Sequence, residues 1–186
     1  MQYPFKLPHK IQNFSGEVIV FKERLIDQDG IEMMLIENEV APGSGPPFHV
    51  HFLQDEYLKV VEGTMGYQSS GEPEKIASPG EAALFKRGDV HRFWNAGDTP
   101  LRCEGWVKPA NSLDFYLAAI YASMDKAGKH AGDPFDSAYL ITRYRTEYDL
   151  MVIPTFVKKV IMPIIVSIGK ILGKYKHFAS APTPLK

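Results

Sequence analysis

Two stretches of this sequence decide its fold: Gly43–Gly63, which reads GSGPPFHVHFLQDEYLKVVEG, and Gly80–Asn95, which reads GEAALFKRGDVHRFWN. Glycine begins and ends the first stretch and recurs in the second. In a strand context glycine marks turns and bulges that direct the neighbouring side chains. His49 and His51 are two residues apart, so on a β-strand their side chains point to the same face.

Four side chains in these stretches form a candidate metal site: His49, His51, Glu56 and His91. Three imidazoles and one carboxylate are typical ligands of iron, manganese, nickel, copper or zinc rather than of calcium or magnesium. A His-x-His pair alone is common as a surface or packing feature. What favours a metal is the glycine framework, Gly43 and Gly63 in the first stretch and Gly80 and Gly88 in the second. We therefore predict one divalent transition metal per chain (Fe, Mn, Ni or Zn), with about two coordination positions left open.

The two stretches resemble the two signature motifs of the cupin superfamily. The first matches at every defined position: Gly43, His49, His51, Glu56 and Gly63. The second matches at Gly80, Gly88, His91 and Asn95. It departs at Lys86, where a proline is usual, which concerns the shape of a turn and not a ligand. The resemblance covers about residues 30–108 and implies a jelly-roll β-barrel of six or more strands, with the four candidate ligands pointing inward.

The composition of the whole chain indicates one ordinary globular domain. Its 186 residues are 45% hydrophobic and 23% charged, and the net charge of −1 gives no indication of nucleic-acid binding. Cys103 is the single cysteine, so no disulfide within the chain is possible. The first ten residues lack the apolar region of a secretory signal, and we predict a cytoplasmic protein.

Residues 1–109 are mainly β in pattern. Residues 1–15 are expected to form an extended N-terminal arm, because Pro4 and Pro8 prevent helix. Residues 16–109 contain short apolar-alternating segments separated by turn residues, such as Glu17–Asp27 and Ile31–Val40 around the turn at Asp29-Gly30. Strands at this spacing predict a barrel or sandwich and not β-α-β units.

The remainder, residues 110–178, is predicted to be a C-terminal α-helical extension. Apolar residues recur with helical spacing from Leu113 to Met124, with Asn111 or Ser112 as the N-cap and Gly128 as the C-cap. Further helices are expected at Asp136–Met151 and at Thr155–Lys174, the latter kinked at Pro163. Residues 179–186 are expected to be a flexible tail.

The C-terminal extension is strongly basic. Residues 151–186 carry six lysines and no acid. Because the net charge of the whole chain is −1, residues 1–150 have a net charge of −7. The longest uncharged run, Val160–Gly169, is far shorter than the about twenty residues a transmembrane helix needs. Three interpretations stay open: packing on the barrel or a partner subunit, peripheral contact of residues 155–175 with an anionic membrane, or docking to another protein.

Aromatic side chains near the candidate ligands suggest an apolar or aromatic substrate. Six are candidate substrate contacts, of which strand alternation should direct about half into the cavity: Phe48, Tyr57, Tyr67, Phe85, Phe93 and Trp106. Each alone is more often a core residue. Glu56 is the candidate catalytic residue. It is expected to be a metal ligand first and a general base second, a role that the resemblance to quercetinase-like dioxygenases allows.

These observations predict a metal-dependent, dioxygenase-like oxidoreductase that acts on a small molecule. Two alternatives stay open: a non-catalytic ligand-binding or metal-binding module whose basic tail contacts a membrane or partner, and an isomerase or decarboxylase on the same scaffold. The resemblance also implies a homodimer, and we expect the arm of residues 1–15 to cross to the partner. The protein is then cytoplasmic or peripherally membrane-associated.

Overall fold

A computed structural model describes residues 2–185 of the chain. The described strands are, in chain order, β1 (His9–Gln12), β2 (Glu17–Ile26), β3 (Glu32–Val40), β4 (His49–His51), β5 (Asp55–Glu62), β6 (Met65–Ser69), β7 (Lys75–Ala77), β8 (Ala82–Phe85), β9 (Val90–Asn95), β10 (Leu101–Lys108) and β11 (Tyr148–Leu150). The described α-helices are α1 (Leu113–Ala127), α2 (Pro134–Arg143) and α3 (Met162–Ile171). The chain is therefore mainly β with a helical C-terminal part, as predicted.

The strands form two antiparallel sheets in a jelly-roll arrangement. One sheet has the order β1-β2-β3-β10-β5-β8, and the other has the order β11-β4-β9-β6-β7. Strand β1 lies within the N-terminal arm and pairs with β2 of the same chain. The fully buried side chains Phe21, Met34 and Leu58 belong to the apolar core of the molecule.

Alternation along two strands directs polar side chains into this core. In β5, Glu56, Leu58 and Val60 are buried, whereas the residues between them are partly exposed. In β9, the buried positions are His91, Phe93 and Asn95. The two-residue period of a strand accounts for both patterns.

Two glycines of the framework show why the motif requires them. Gly63 has φ 85°, and a Cβ there would lie 2.8 Å from the carbonyl oxygen of Pro100. Gly88 also has φ 85°, and its N–H donates to the carbonyl of His51 at 2.8 Å. A left-handed backbone favours glycine, and at Gly63 the neighbouring backbone leaves no room for a side chain.

The turn at Lys86 has a local reason for lacking the usual proline. The Lys86 N–H donates to a carboxylate oxygen of Asp89 at 3.1 Å, while the Asp89 N–H donates to the Lys86 carbonyl at 2.9 Å. A proline at position 86 has no N–H to donate. The side chain of Asp89 thus takes part in fixing this turn.

The helical part agrees with the sequence analysis at its first helix. Helix α1 ends as predicted at Gly128, which has φ 62° and donates its N–H to the carbonyls of Met124 and Asp125. Ser112 occupies the N-cap position, but its side chain makes no capping hydrogen bond. Its hydroxyl instead donates to a carboxylate oxygen of Glu147 at 3.1 Å. The side chain of Ser112 therefore bonds to the buried Glu147 carboxylate and not to the backbone N–H groups at the start of α1.

The predicted second helix, Asp136–Met151, is wrong over its second half. Helix α2 begins earlier, where Asp133 caps it by accepting from the N–H groups of Phe135 and Asp136, and it ends at Arg143. The chain then forms β11, which pairs antiparallel with β4. The open edge of β4 offers backbone hydrogen bonds that outweigh the local helical pattern.

The third predicted helix is observed in two parts. Residues Val157–Ile161 form a π-helical turn, which leads directly into α3. The N–H of Met162 donates to the carbonyl of Val157, five residues earlier. Pro163 has no N–H, and its ring crowds the carbonyl four residues before it, so the wider turn accommodates the proline predicted to kink this helix.

Candidate metal centre

The four predicted ligands come together between the two sheets. His49 and His51 lie on β4, and His91 lies opposite His49 on the neighbouring strand β9. Glu56 reaches the cluster from β5 in the other sheet. One ligand atom from each of the four residues lies within 4.8 Å of all the others. The jelly roll thus brings both motif stretches to one point.

The dimensions of the cluster suit a transition metal. Ligand bonds of about 2.0–2.2 Å place opposite donors about 4.2 Å apart and neighbouring donors about 3 Å apart. The Glu56 Oε2 atom lies 3.2 Å from Nε2 of His91 and 3.8 Å from Nε2 of His51. Shifts of less than an ångström are enough for all four atoms to reach one ion. The residues present therefore fit such a metal.

Backbone carbonyls orient two of the imidazole rings. Nδ1 of His49 donates to the carbonyl of Pro47 at 2.9 Å, and Nδ1 of His91 donates to the carbonyl of Asp89 at 2.9 Å. A carbonyl can only accept, so each Nδ1 carries a proton and each Nε2 faces the cluster; Nε2 of His49 keeps its lone pair, whereas Nε2 of His91 has the Glu56 carboxylate 3.2 Å away as a hydrogen-bond partner. Metal-binding histidines in proteins are commonly held in this way.

The third imidazole is held by packing instead. Nδ1 of His51 is buried and has no hydrogen-bond partner among residues 2–185. The ring of Tyr148 meets the His51 ring edge-on, with centroids 5.4 Å apart. Tyr148 and His51 are also direct partners in the β4–β11 pairing. Strand β11 therefore fixes the position of His51 from outside the motif.

Burial and mutual charge set the protonation of the cluster. Burial lowers the pKa of His49 to about 3 and that of His51 to about 4. Burial alone would raise the pKa of Glu56, but the hydrogen bond from His91 and the three nearby imidazoles lower it to about 2. Burial likewise opposes protonation of His91, but the Glu56 carboxylate raises its pKa. The site thus offers an ionised carboxylate and two neutral imidazoles to a cation.

Three of the six predicted aromatic contacts lie on the ligand side. The ring of Phe85 stacks on His91, with centroids 4.1 Å apart and planes at 7°. Tyr67 meets Phe85 edge-on at 6.1 Å. Phe93 is the strand partner of Tyr67 and lies two residues from His91, so its side chain shares their face. These rings are the apolar surface next to the cluster.

The other three face away from the ligands. Tyr57 follows Glu56 in a regular strand and so points to the opposite face, where it stacks on Trp106 at 5.6 Å. Phe48 lies under the guanidinium of Arg92, which is 4.8 Å from its ring centroid. Arg92 follows the inward-facing His91, so both it and Phe48 lie on the outer surface. About half of the six line the site, which is the proportion that strand alternation predicts.

The structure adds a buried polar group that the sequence analysis did not identify. Glu147 is fully buried, and its carboxylate accepts from Ser112, from Gln54 and from the N–H of Leu185. Gln54 also donates to the Tyr148 hydroxyl at 3.2 Å. This network joins the loop before Glu56 to β11. No spacing signal marks it, because its members come from four distant segments.

A family model described as "Cupin domain" matches residues 37–107, the part of the chain that contains all four cluster residues. Residues 37–107 form a cupin domain. The two sheets described above are the jelly roll expected for it, and the helices α1–α3 follow it in the chain.

Several proteins with similar sequences carry oxidoreductase names. "Oxidoreductase iacF" of Pestalotiopsis fici is 34% identical over 76 residues, which is 40% of this chain and 37% of that protein. "Epoxidase atD" of Aspergillus terreus is 32% identical over 88 residues, 47% of this chain and 27% of that protein. The chain therefore matches well under half the length of these two relatives.

A solved structure also resembles part of this chain. A Klebsiella pneumoniae protein with a double-stranded β-helix domain has a TM-score of 0.46 and 21% sequence identity. The similarity covers 54% of this chain and 84% of that chain.

Proposed function

We propose that this protein is a metal-dependent oxidoreductase that acts on a small apolar or aromatic compound. The observation that carries the proposal is the convergence of His49, His51, Glu56 and His91 on one point between the two sheets. The oxidoreductase names of two relatives that match 40% and 47% of the chain support the same class of reaction. The assignment of the four residues as ligands is part of the proposal.

A bound iron or manganese ion would supply redox chemistry or Lewis acidity, and four protein ligands would leave about two positions for other ligands. Glu56 is best suited to hold the ion. Its low pKa, near 2, makes the carboxylate a weak proton acceptor at neutral pH. The general-base role considered for Glu56 is therefore secondary to ligation.

Tyr67, Phe85 and Phe93 are proposed to form the substrate side of the site. Phe85 lies flat against His91, so a planar apolar compound in contact with this ring would lie beside the ion. The edge-on approach of Tyr67 to Phe85 brings a hydroxyl-bearing ring to the same surface. A substrate with an apolar body and one polar group suits such a surface better than a sugar phosphate.

The proposal is tested by oxygen consumption with a set of aromatic and apolar compounds after loading with iron or manganese. We expect turnover by the wild type and none by His51→Ala, with His130→Ala as the control because His130 is exposed and outside the cluster. Stoichiometric metal without turnover of any compound would instead favour the binding module. Zinc as the metal retained from the cell would favour the isomerase or decarboxylase alternative.

A further inference from the structure

The segment after β11 leaves a row of large apolar side chains exposed. We define the apolar stripe as Ile161, Ile164, Ile168, Ile171 and Leu172. Their spacing of three or four residues places them along one face of the helix. Ile164 is 52% exposed, Ile168 is 47% exposed and Ile171 is 87% exposed. Exposed apolar rows of this kind mark interaction surfaces rather than ordinary protein surface.

The fold does not need the apolar stripe for its own stability. The opposite side of α3 buries Met162 and Val166, which pack with Ala138 and Ile141 of α2. Helix α3 therefore already has an apolar face that holds it on the domain. A helix that is apolar on both sides and covered on only one is suited to a second apolar environment.

The charges of the same segment indicate what that environment is. Lys159, Lys170 and Lys174 are exposed in this segment. Residues 151–186 contain six lysines and no acid, whereas the rest of the chain sums to −7. A negatively charged surface therefore attracts this segment and repels the remainder, which orients the molecule with α3 towards it.

A second copy of the chain fits these charges less well. A two-fold contact through the stripe would bring the basic segment against its own copy, with no acid in residues 151–186 to neutralise the lysines. An anionic lipid surface supplies negative headgroups for the lysines and hydrocarbon for the isoleucines. No helix in the described part of the chain is long and apolar enough to cross a membrane.

We propose that the apolar stripe and its lysines form a peripheral binding site for anionic lipid bilayers. The helix lies in the plane of the interface, with Ile164, Ile168 and Ile171 buried about 5–10 Å into the boundary between headgroups and acyl chains. The cupin domain is thereby held at the membrane surface, where apolar compounds concentrate. This site is independent of the metal centre, and its failure would leave the proposed reaction untouched.

Vesicle co-sedimentation of the full chain tests the proposal. We expect the protein to bind vesicles of phosphatidylcholine mixed with phosphatidylglycerol at least about tenfold more tightly than phosphatidylcholine alone, because each lysine near such a surface contributes about 1 kcal/mol. Binding should weaken as salt is added. Equal binding to both kinds of vesicle, or none to the anionic kind, would overturn it.

Matched variants locate the binding. The pair Ile164→Ser and Ile168→Ser should weaken binding to anionic vesicles at least about tenfold, since both side chains lose hydrocarbon contact. Ile76→Ser is the control, because Ile76 is a similarly exposed isoleucine on β7 at 57%. Equal loss in the control would contradict a localised site. All three residues are exposed, so the substitutions should leave the fold intact. Denaturation curves that match the wild-type curve will verify that each variant is folded.

Charge reversal separates the electrostatic contribution. Lys159→Glu with Lys170→Glu should abolish the preference for anionic vesicles, whereas Lys75→Glu, at an exposed position on β7, should not. Light scattering of the same samples measures the oligomeric state and so tests the alternative that a second copy of the chain covers the stripe. A dimer that Ile164→Ser and Ile168→Ser disperse, with no vesicle binding by the wild type, would assign the stripe to a second copy of the chain.

Discussion

Replacing Glu147 by alanine tests whether the buried network holds β11 against β4, the strand that carries His49 and His51. The wild-type carboxylate accepts from Ser112 at 3.1 Å and from Gln54 at 3.2 Å, and both donors are almost completely buried. Each buried donor left without an acceptor costs about 1–3 kcal/mol. The third donor, the N–H of Leu185, belongs to a residue that is 45% exposed and can turn to water.

We therefore expect Glu147→Ala to lower the free energy of unfolding by about 2–6 kcal/mol, towards the lower end if water enters the space left behind. Glu147→Gln keeps the volume and one acceptor oxygen, so it should cost less, about 1–3 kcal/mol. Glu104→Ala is the control, because its ion pair with Lys59 is exposed and contributes about 0–1 kcal/mol.

Urea denaturation followed by the fluorescence of Trp94 and Trp106 measures all three changes. The slope of the transition should stay constant, which attributes the change in midpoint to stability. The two Glu147 variants should also bind metal more weakly, because β11 positions His51 through the Tyr148 pairing. A loss below about 0.5 kcal/mol for Glu147→Ala, equal to that of the control, would refute the structural role of the network.

Three further predictions follow from the geometry of the domain. Gly88→Ala should lower the free energy of unfolding by about 1–2 kcal/mol, because alanine is strained in the left-handed backbone at that position. Gly63→Ala should lower it further, because its Cβ also meets the Pro100 carbonyl, and thermal unfolding of the two variants compares the losses. Phe85→Ala should lower turnover and metal affinity, while Trp106→Ala, on the outer face, should leave both within about twofold in parallel assays. Metal affinity should fall about tenfold for each pH unit below the pKa of His91, which the Glu56 carboxylate raises, because a proton then competes with the metal for the imidazole. A titration with buffered metal at several pH values measures this, and an affinity that does not change with pH would contradict it.

Local strand patterns were enough to predict a barrel or sandwich, whereas the jelly roll and the inward convergence of the four cluster residues were implied by the resemblance to the cupin motifs. His49 and His51 share a face by strand periodicity, and Gly88 anchors the carbonyl of His51. The sequence analysis kept Tyr57 among the candidate substrate contacts, although its adjacency to Glu56 in a regular strand places the two side chains on opposite faces. The prediction that only about half of the aromatic residues line the site used this reasoning without deciding which ones.

Tertiary contacts decided the features that the sequence did not indicate. The segment at Tyr148 has a helical pattern but forms a strand, because the edge of β4 supplies its hydrogen bonds. Ser112 stands at a helix start, yet its hydroxyl bonds to Glu147, which is distant in sequence. Asp133-Pro134 was a readable helix start that the predicted boundary at Asp136 missed. Partners far apart in the chain leave no periodic signal.

Metal content of the untagged protein, purified without chelator and measured by mass spectrometry, tests the central claim most directly. The account predicts about one iron or manganese per chain in the wild type and a loss of that metal in His49→Ala, which removes one of the four converging side chains proposed as ligands. An equal metal content in both proteins, or no metal above the level of the variant, would contradict it.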